Sequence, residues 1–548
     1  MLGSFGDSLK QEFKGYNASK LTQDLMAGLT VAAVALPLAL AFGVSSGADA
    51  AAGLITAIIA GLVMSGLSGG YYQISGPTGA MAAILMSLVA TYGLNGVYIA
   101  TLIAGILLLI SGILRLGKLT AFIPAPVITG FTSGIAVIIA LGQIDNFFGT
   151  HSQGTSAISK LFSYALLGFS PNLTAVLLGA FVVLFMVFFP KKWSAVIPAS
   201  LLSIILATAA SLFLKLDVAV VGEIPKTLIP ESRLTLSALN IKTLGELVTP
   251  AFSIAILGMI ESLLCGASAG RMTGVRLNSN QELIAQGVGN ILLPFFGGIP
   301  ATAAIARTSV AVKSGAQTRL VGIFHAVGLL ISMFLLAPIM SQIPLAALAG
   351  VLMVTAWRMN EWESIHYIFS HKFKGAMLEF VATMAATIVF DLTIAILVGV
   401  VIGLVFLVTR LSFIEINYED VDMSRMNVTD PVLCERYSNA KVVYITGPMI
   451  FANTQAISDI AEKVKGADTV LFSMRGVSNI DISCAQVLRE LIEGLRSQGV
   501  DVALCGLPTH TMKMMQRTDL KEIIGEENFY WSVERVLLTN RAKGKFAA

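Results

Sequence analysis

Long apolar segments follow one another along the chain from Asp24 to Arg410. A helix needs about 20 largely apolar residues to cross a bilayer. The clearest segments lie near residues 25–43, 51–68, 96–114, 122–142, 172–189, 194–214, 248–268, 319–341 and 376–410. Others are short or interrupted by glycine and proline, and the last is long enough for two spans. The pattern predicts about 12 to 14 spanning helices without a cleavable signal peptide, because the first 20 residues are polar.

The pattern changes after Arg410. Residues 411–437 are expected to be a linker, and residues 1–23 a cytoplasmic N-terminal segment before the transport domain of residues 24–410. Over residues 438–548, short strand-like runs alternate with amphipathic helical patterns, which is typical of a small α/β domain. Residues 1–410 contain 36 of the 69 charged side chains, whereas the remaining 138 residues contain 33. The charge distribution therefore predicts a membrane domain followed by a cytosolic domain.

Composition narrows the function classes. The chain is 55% hydrophobic and 13% charged, far from the roughly 25% charged residues of a soluble enzyme. A net charge of +3 without a basic patch argues against nucleic-acid binding. The four cysteines and five histidines have no metal-site spacing, and no phosphate-binding or dinucleotide motif is present. We therefore expect no metal, no cofactor and no enzymatic activity.

Basic residues in the loops predict the orientation. With 14 spans, one side carries 14 lysines and arginines and the other carries five. Because such residues favour the cytoplasmic side, we expect a multi-pass protein of the inner, cytoplasmic membrane with both termini in the cytoplasm.

Few ionisable residues lie deep in the apolar segments, and each is a functional candidate because burial in a bilayer costs about 2.5–3.5 kcal/mol or more. Glu261 is flanked by apolar residues on both sides. Coupling of transport to a proton is its predicted role, and a structural carboxylate is the alternative. Arg307 is expected either to attract the substrate or to anchor a helix end. Glu379 and Asp391 lie nearer the predicted interfaces, where a structural role is favoured.

Two Gly/Pro-interrupted segments occupy matching positions, in the third and tenth of 14 spans. They run from Tyr72 to Ala80 and from Gly297 to Ala304, and each leads from an extended stretch into a helix. Such pairs indicate a transporter site at a repeat interface, where helix N-termini suit an anion. The alternative is two loops that serve packing only. The residues predicted to bind the anion are Ser75, Gly76, Pro77, Thr78, Gly79, Pro300, Ala301, Thr302, Ala303 and Arg307.

Several motifs resemble the sulfate permease family of anion transporters, whose animal members form solute carrier family 26. They include Asp24–Val31 with Pro37, Ser75–Thr78, Gly130–Gly134, Gly258–Ser262, Asn280–Leu283, Gln286–Asn290 and Phe296–Pro300. The resemblance implies 14 spans in two inverted seven-helix repeats, arranged as core and gate domains. It also implies an anion between the half-helices, elevator-like alternating access and a homodimer within the lipid bilayer.

Departures from that family bear on the substrate and the coupling ion. Sodium-coupled bicarbonate members place aspartate where Glu261 stands and threonine where Cys265 stands. A thiol is a poor sodium ligand, so a proton is favoured over sodium. Residues 261–265 and 300–307 look more like the bacterial dicarboxylate branch, and Leu38 stands where many sulfate transporters have glutamine. Sulfate, a C4-dicarboxylate and bicarbonate all stay open as substrates.

The C-terminal domain resembles the STAS domain that ends most members of this family. Asn479–Ser483 matches the Asp-x-Ser turn of that domain, in which related bacterial regulators are phosphorylated at the serine. Ser483 opens a predicted helix, so we expect it to cap that helix, with regulatory phosphorylation as the alternative.

Secondary active anion transport is therefore the predicted function. An anion channel or exchanger, or a nucleobase permease of the same architecture, is the first alternative. Nucleobase permeases lack a STAS-like domain and bind neutral rings through carboxylates, which fits this chain less well. A membrane enzyme or sensor is the second alternative, for which the sequence offers no catalytic motif.

Overall fold

The structure, a computed structural model, describes residues 2–118, 124–153, 157–190, 193, 198–235, 241–390, 392–423 and 430–538. The chain forms two compact units, residues 1–403 and 404–548. Each unit has its own hydrophobic core.

The first unit is almost entirely helical among its described residues. Its elements, in chain order, are α1 (Leu2–Glu12), α2 (Ala18–Ser45), α3 (Ala50–Leu67), β1 (Ser75–Gly76), α4 (Gly79–Ile113), α5 (Ala125–Gly142), α6 (Ile144–Phe148), α7 (Ala157–Leu167), α8 (Leu173–Phe188), α9 (Ala199–Phe213), α10 (Ile241–Thr273), α11 (Ser279–Leu292), β2 (Thr302–Ala303), α12 (Ile305–Lys313), α13 (Leu320–Met340), α14 (Leu345–Met359), α15 (Trp362–Ser370), α16 (Lys374–Val389) and α17 (Leu392–Leu411).

Among the described residues, six helices are long and apolar enough to cross a membrane, and five shorter apolar helices accompany them. Helix α4 is interrupted at Gly93, whose φ of +67° is not helical, so its 35 residues form two segments. Asn17 and Asp49 cap α2 and α3, and each side chain accepts a hydrogen bond from a first-turn amide. The fold class is the predicted one, while the number of 14 spans stays a prediction.

The N-terminal segment is tied to the loop between α12 and α13. Both Glu12 and Arg319 are buried, and their charged atoms lie 2.6 Å apart. Asp24, which is fully buried, accepts hydrogen bonds from the amides of Gln317 (2.6 Å) and Thr318 (3.1 Å). The predicted cytoplasmic segment of residues 1–23 therefore contains groups that are integral to the helical unit.

The second unit contains a five-stranded sheet in the order β3-β4-β5-β6-β7. Its strands are β3 (Glu415–Asp420), β4 (Ala440–Met449), β5 (Thr469–Ile480), β6 (Asp501–Cys505) and β7 (Phe529–Tyr530). Strand β3 is antiparallel to β4, and the other pairs are parallel. Its helices are α18 (Pro431–Arg436), α19 (Thr454–Ser458), α20 (Ile460–Lys463), α21 (Ile482–Ser497), α22 (Thr509–Arg517), α23 (Leu520–Ile524) and α24 (Val533–Leu538). The alternation of strands and helices gives the predicted α/β class.

The expected linker of residues 411–437 is partly regular structure. It contains β3 and α18, and β3 pairs with β4 along its whole length. Four of the six residues of β3 are charged or polar with exposed side chains, as suits an edge strand. That polarity concealed the strand from a hydrophobicity pattern.

Candidate functional site

The two Gly/Pro-interrupted segments meet as an antiparallel pair of short strands. Ser75 lies opposite Ala303, and Gly76 lies opposite Thr302. Helix α4 begins three residues after β1, and α12 begins two residues after β2. The pair therefore places two helix N-termini beside one point, where unpaired first-turn amides and helix dipoles favour negative charge.

Pro77 and Pro300 both lie outside the first turns of the helices that follow them. Pro77 precedes Thr78, the N-cap residue of α4, and Pro300 precedes β2. Strand β1 ends just before Pro77, whereas β2 lies between Pro300 and α12. Proline supplies an extended approach here rather than the first residue of a helix.

Glu261 on α10 binds to both segments. Its Oε2 atom accepts a hydrogen bond from the Thr78 hydroxyl at 2.9 Å and another from the Thr302 hydroxyl at 2.6 Å. The two hydroxyl oxygens lie 3.4 Å apart. One partly buried carboxylate thus accepts a hydroxyl from each half of the candidate site.

The side chain of Arg307 on α12 contacts the first Gly/Pro-interrupted segment. It is 1% exposed, and its Nη2 donates a hydrogen bond to the carbonyl oxygen of Pro77. Its Nη1 has no hydrogen-bond partner among the described residues. A Cβ at Gly76 would lie 2.5 Å from Nη1, so the absence of a side chain at Gly76 makes room for the guanidinium. Arg307 therefore lies inside the site rather than at an exposed helix end.

Several amides that the sequence assigned to the anion are already hydrogen-bonded. The Ala301 amide donates to Asn290 Oδ1 at 2.9 Å, and the Ala303 amide donates to Ser262 Oγ at 3.2 Å. The amides of Ala301 and Ala303 are thus not free to bind a ligand, because an amide has one hydrogen to donate. The free amides of the second segment must instead come from the first turn of α12, where Ile305 is 45% exposed.

The ten predicted binding residues lie together, but some of them face the scaffold. Ser75 Oγ accepts a hydrogen bond from Gln286 Nε2 at 2.8 Å. Next to Pro300, the Ile299 amide donates to Thr56 Oγ1 at 2.8 Å. These contacts hold the backbone of the two strands. Arg307 and the helix N-termini are the groups available to a ligand, while the hydroxyls of Thr78 and Thr302 are engaged by Glu261.

A row of polar residues on α11 supports this backbone; the sequence marked these residues as family motifs but did not predict this role. Glu282, Gln286 and Asn290 are buried and spaced four residues apart, on one face of the helix. Glu282 accepts from the Ser68 hydroxyl (2.6 Å), the Gly69 amide (3.0 Å) and Gln286 Nε2 (2.8 Å). The spacing of four within an otherwise apolar stretch was the available signal.

Three further residues named from the sequence have different positions. The Cys265 thiol donates a hydrogen bond to Thr308 Oγ1 at 3.2 Å, and that oxygen also accepts from the Ile74 amide at 3.0 Å. Glu379 is buried on α16, a different helix from the site. Asp391 lies outside the described residues.

Ser483 does not cap its helix. The N-cap of α21 is Asp481, whose side chain accepts from the Cys484 amide at 2.9 Å and from the Phe451 amide at 2.6 Å. The two carboxylate oxygens of Asp481 accept these two bonds. Ser483 is the second residue of the helix, past the capping position. The expected cap is therefore wrong by two residues, and phosphorylation of Ser483 stays a prediction.

Comparisons with known proteins identify the family. Residues 21–386 match the sulfate permease family, and residues 432–536 match the STAS domain. The chain belongs to the sulfate permease family. It is 35% identical over 538 residues to a Bacillus subtilis (strain 168) protein named "Putative sulfate transporter YvdB", covering 94% of this chain and 97% of that protein. It is 30% identical to the bicarbonate transporter BicA of Picosynechococcus, covering 94% of each chain.

Two solved transporter structures are similar to this chain in fold. The transmembrane domain of a cyanobacterial bicarbonate transporter BicA matches with a TM-score of 0.65 at 31% identity, covering 70% of this chain and 98% of that one. The murine anion transporter Slc26a9, in an inward-facing state, matches with a TM-score of 0.81 at 18% identity, covering 94% of this chain and 91% of that one. The chain is therefore a multi-pass membrane protein of a family of anion transporters with a C-terminal STAS domain.

Proposed function

We propose that this member of the sulfate permease family is a secondary active transporter that carries a small anion together with a proton. Sulfate, a C4-dicarboxylate and bicarbonate are the substrates under consideration. The observation that carries the proposal is the Glu261 carboxylate, hydrogen-bonded by Thr78 and Thr302 from the two halves of the site. Relatives named as sulfate and bicarbonate transporters support a small oxyanion.

The anion binds between the N-termini of α4 and α12. First-turn amides of both helices donate to it, and the dipoles add positive potential. Arg307 strengthens that potential from within the site, because its Nη1 has no competing acceptor among the described residues. Sulfate and carboxylates offer several acceptor oxygens, which suits a set of convergent donors.

Protonation of Glu261 couples the two ions. A threonine hydroxyl has one hydrogen to donate, and the hydroxyls of Thr78 and Thr302 both donate to Glu261 in this structure. When Glu261 takes up a proton, it no longer needs two donors, and the hydroxyls are free to donate to the anion. Proton binding thus removes one negative charge and supplies donors, so both effects favour anion binding.

A sodium ion fits the surroundings less well. Sodium requires oxygen ligands, whereas the position nearest in sequence to Glu261 on the next helical turn holds the Cys265 thiol. That thiol is engaged with Thr308. The proton is therefore the proposed coupling ion.

Transport proceeds by elevator-like movement of a core domain, which holds the site, against a gate domain. We place the protein in the cytoplasmic membrane as a homodimer with both termini in the cytoplasm. The excess of basic residues in the loops of one side supports this orientation. An anion exchanger or channel is the alternative, and it differs in having no dependence on a proton gradient.

Uptake into proteoliposomes tests the proposal. Labelled sulfate, bicarbonate and fumarate are offered with an inward proton gradient, with a sodium gradient and with neither. We expect one of these anions to accumulate only with the proton gradient. Glu261→Gln should abolish that dependence, because glutamine cannot exchange a proton.

Glu379→Gln is the matched control, since it removes a buried carboxyl group outside the site. It should retain proton-driven uptake. Sodium-driven uptake, or a Glu261→Gln protein with unchanged pH dependence, would refute proton coupling. Uptake that follows the anion gradient alone would favour the exchanger or channel.

A further inference from the structure

Helix α15 lies at a membrane surface. Its nine residues span about 14 Å, too short to cross a hydrocarbon core of about 30 Å. It joins α14 and α16, on which large apolar side chains such as Trp357 (66% exposed) and Leu378 (53% exposed) face outward. Because residues 376–410 are predicted to span the bilayer, we expect the segment before them to run along the bilayer boundary.

Aromatic rings concentrate in this segment. The rings of Trp357 and Trp362 lie 4.5 Å apart, and Tyr367 lies 4.4 Å from His371. His371 in turn stacks on Phe373 at 5.8 Å with nearly parallel planes. Tryptophan and tyrosine prefer the level of the lipid headgroups. The cluster therefore fixes α15 at that depth.

An apolar cleft opens between α15 and the first turns of α5 and α16. Its volume is about 440 Å³. The apolar part of the lining comes from Ala125, Pro126, Tyr367, Ile368, Phe373 and Ala376. Most of these surfaces are hydrocarbon, so the cleft suits an acyl chain better than a polar solute.

Two lysines flank the cleft residue Phe373. Lys372 has a φ of +54°, which turns the chain sharply between α15 and α16, and Lys374 is the first residue of α16. Both are exposed, and neither side chain forms an ion pair or hydrogen bond with the residues that the structure describes. Two uncompensated positive charges thus lie beside an apolar cleft at headgroup level.

The nearby carboxylates do not neutralise them. Glu361 accepts a hydrogen bond from Thr129 of α5 (3.1 Å), which connects α5 to the start of α15, and another from Ser364 within α15 (3.2 Å). Glu363 lines the cleft at the beginning of α15, at the opposite end of the helix from Lys372. Positive charge therefore collects at one end of the cleft.

We propose that this cleft binds one anionic phospholipid, with an acyl chain between α5, α15 and α16 and the phosphate beside Lys372 and Lys374. Basic clefts between membrane helices recognise anionic headgroups through such lysines. The Tyr367–His371–Phe373 cluster covers the glycerol region. This site is separate from the anion site and does not depend on which anion is transported.

Native mass spectrometry of the full chain with phosphatidylglycerol and phosphatidylcholine tests the proposal. We expect retention of one phosphatidylglycerol in preference to phosphatidylcholine. The double change Lys372→Gln and Lys374→Gln should reduce that preference about thirtyfold, since each lysine near a headgroup contributes about fivefold. Lys215→Gln with Lys226→Gln, two lysines in another loop, should leave it unchanged.

A second measurement locates the acyl chain and does not rely on a variant. Phosphatidylglycerol with a photoreactive acyl chain should label peptides from residues 124–129 and 364–376 in the unaltered protein. Equal retention of the two lipids, an unchanged preference in the Lys372/Lys374 variant, or labelling elsewhere would each overturn the proposal.

Discussion

Replacing Gly76 by alanine tests whether the bare backbone at this position holds Arg307 in place. The new Cβ would lie 2.5 Å from Arg307 Nη1 and 3.4 Å from the Cα of Ala57. Real Cβ contacts are essentially never as short as the first of these distances, so the guanidinium must move. The backbone at Gly76 is not left-handed, so the effect comes from contact and not from φ strain.

The structure sets the size of the effect. Moving the guanidinium breaks its hydrogen bond to Pro77, and hydrogen bonds of charged groups contribute about 1.5–3 kcal/mol. Because about 1.4 kcal/mol corresponds to a tenfold change in affinity, the half-saturation concentration for the anion should rise about tenfold to a hundredfold. Arg307 is buried, so part of the cost will appear as a lower unfolding temperature.

The assay is proteoliposome uptake over a range of anion concentrations, together with thermal unfolding in detergent. Gly245→Ala is the matched control, because a Cβ there has no neighbour within 4 Å. A Gly76→Ala protein whose half-saturation concentration and unfolding temperature both match those of the control would refute the reasoning. Arg307 would then be free to move without loss, and would not be a fixed group of the site.

Three further predictions concern Glu12, the cap of α21 and Cys505. Glu12→Gln should lower the free energy of unfolding by about 3–5 kcal/mol, since it leaves Arg319 buried without a counter-charge, and thermal unfolding measures this. Asp481→Ala should cost about 0.5–2 kcal/mol in chemical unfolding of the C-terminal unit, whereas Ser483→Ala should cost far less. Burial raises the pKa of the Cys505 thiol to about 12, so its alkylation should be slow at pH 8 and accelerate about tenfold per pH unit up to pH 11.

Each of these three predictions has a control or a result that would contradict it. Glu493→Gln removes the exposed pair with Arg489 and should change stability by less than about 1 kcal/mol, so an equal loss for Glu12→Gln would contradict the buried-pair argument. An equal cost for the alanine variants at 481 and 483 would restore Ser483 as a cap. Alkylation of Cys505 before the partly exposed Cys434 at pH 8 would contradict its burial.

The sequence predicted the parts of the site that depend on local pattern. Gly/Pro interruptions located both halves of the site, and the isolated charges at Glu261 and Arg307 marked its ionisable groups. The local pattern could not predict that β1 pairs with β2, nor that the hydroxyls of Thr78 and Thr302, 224 residues apart in sequence, come together. The same limit concealed the Ala301 and Ala303 hydrogen bonds, which depend on partners from α10 and α11.

Polar residues concealed structural roles in two other places. Strand β3 was missed since its side chains are mainly polar and its stability comes from backbone pairing with β4. The N-terminal segment was predicted only to be cytoplasmic, and within it Glu12 is buried against Arg319. In both cases a polar residue is structural because of a distant partner, which one segment of sequence cannot reveal.

The pairing of β1 with β2 depends mainly on the backbone and less on side-chain identity. It joins Ser75 to Ala303 and Gly76 to Thr302 through main-chain groups, which every amino acid except proline supplies in full. Substitutions that keep Gly76 without a side chain and the Ser75 contact intact should therefore leave the strand pair unchanged. We expect single substitutions at positions 78, 261 or 302 of the proposed site to alter substrate preference without changing that pair.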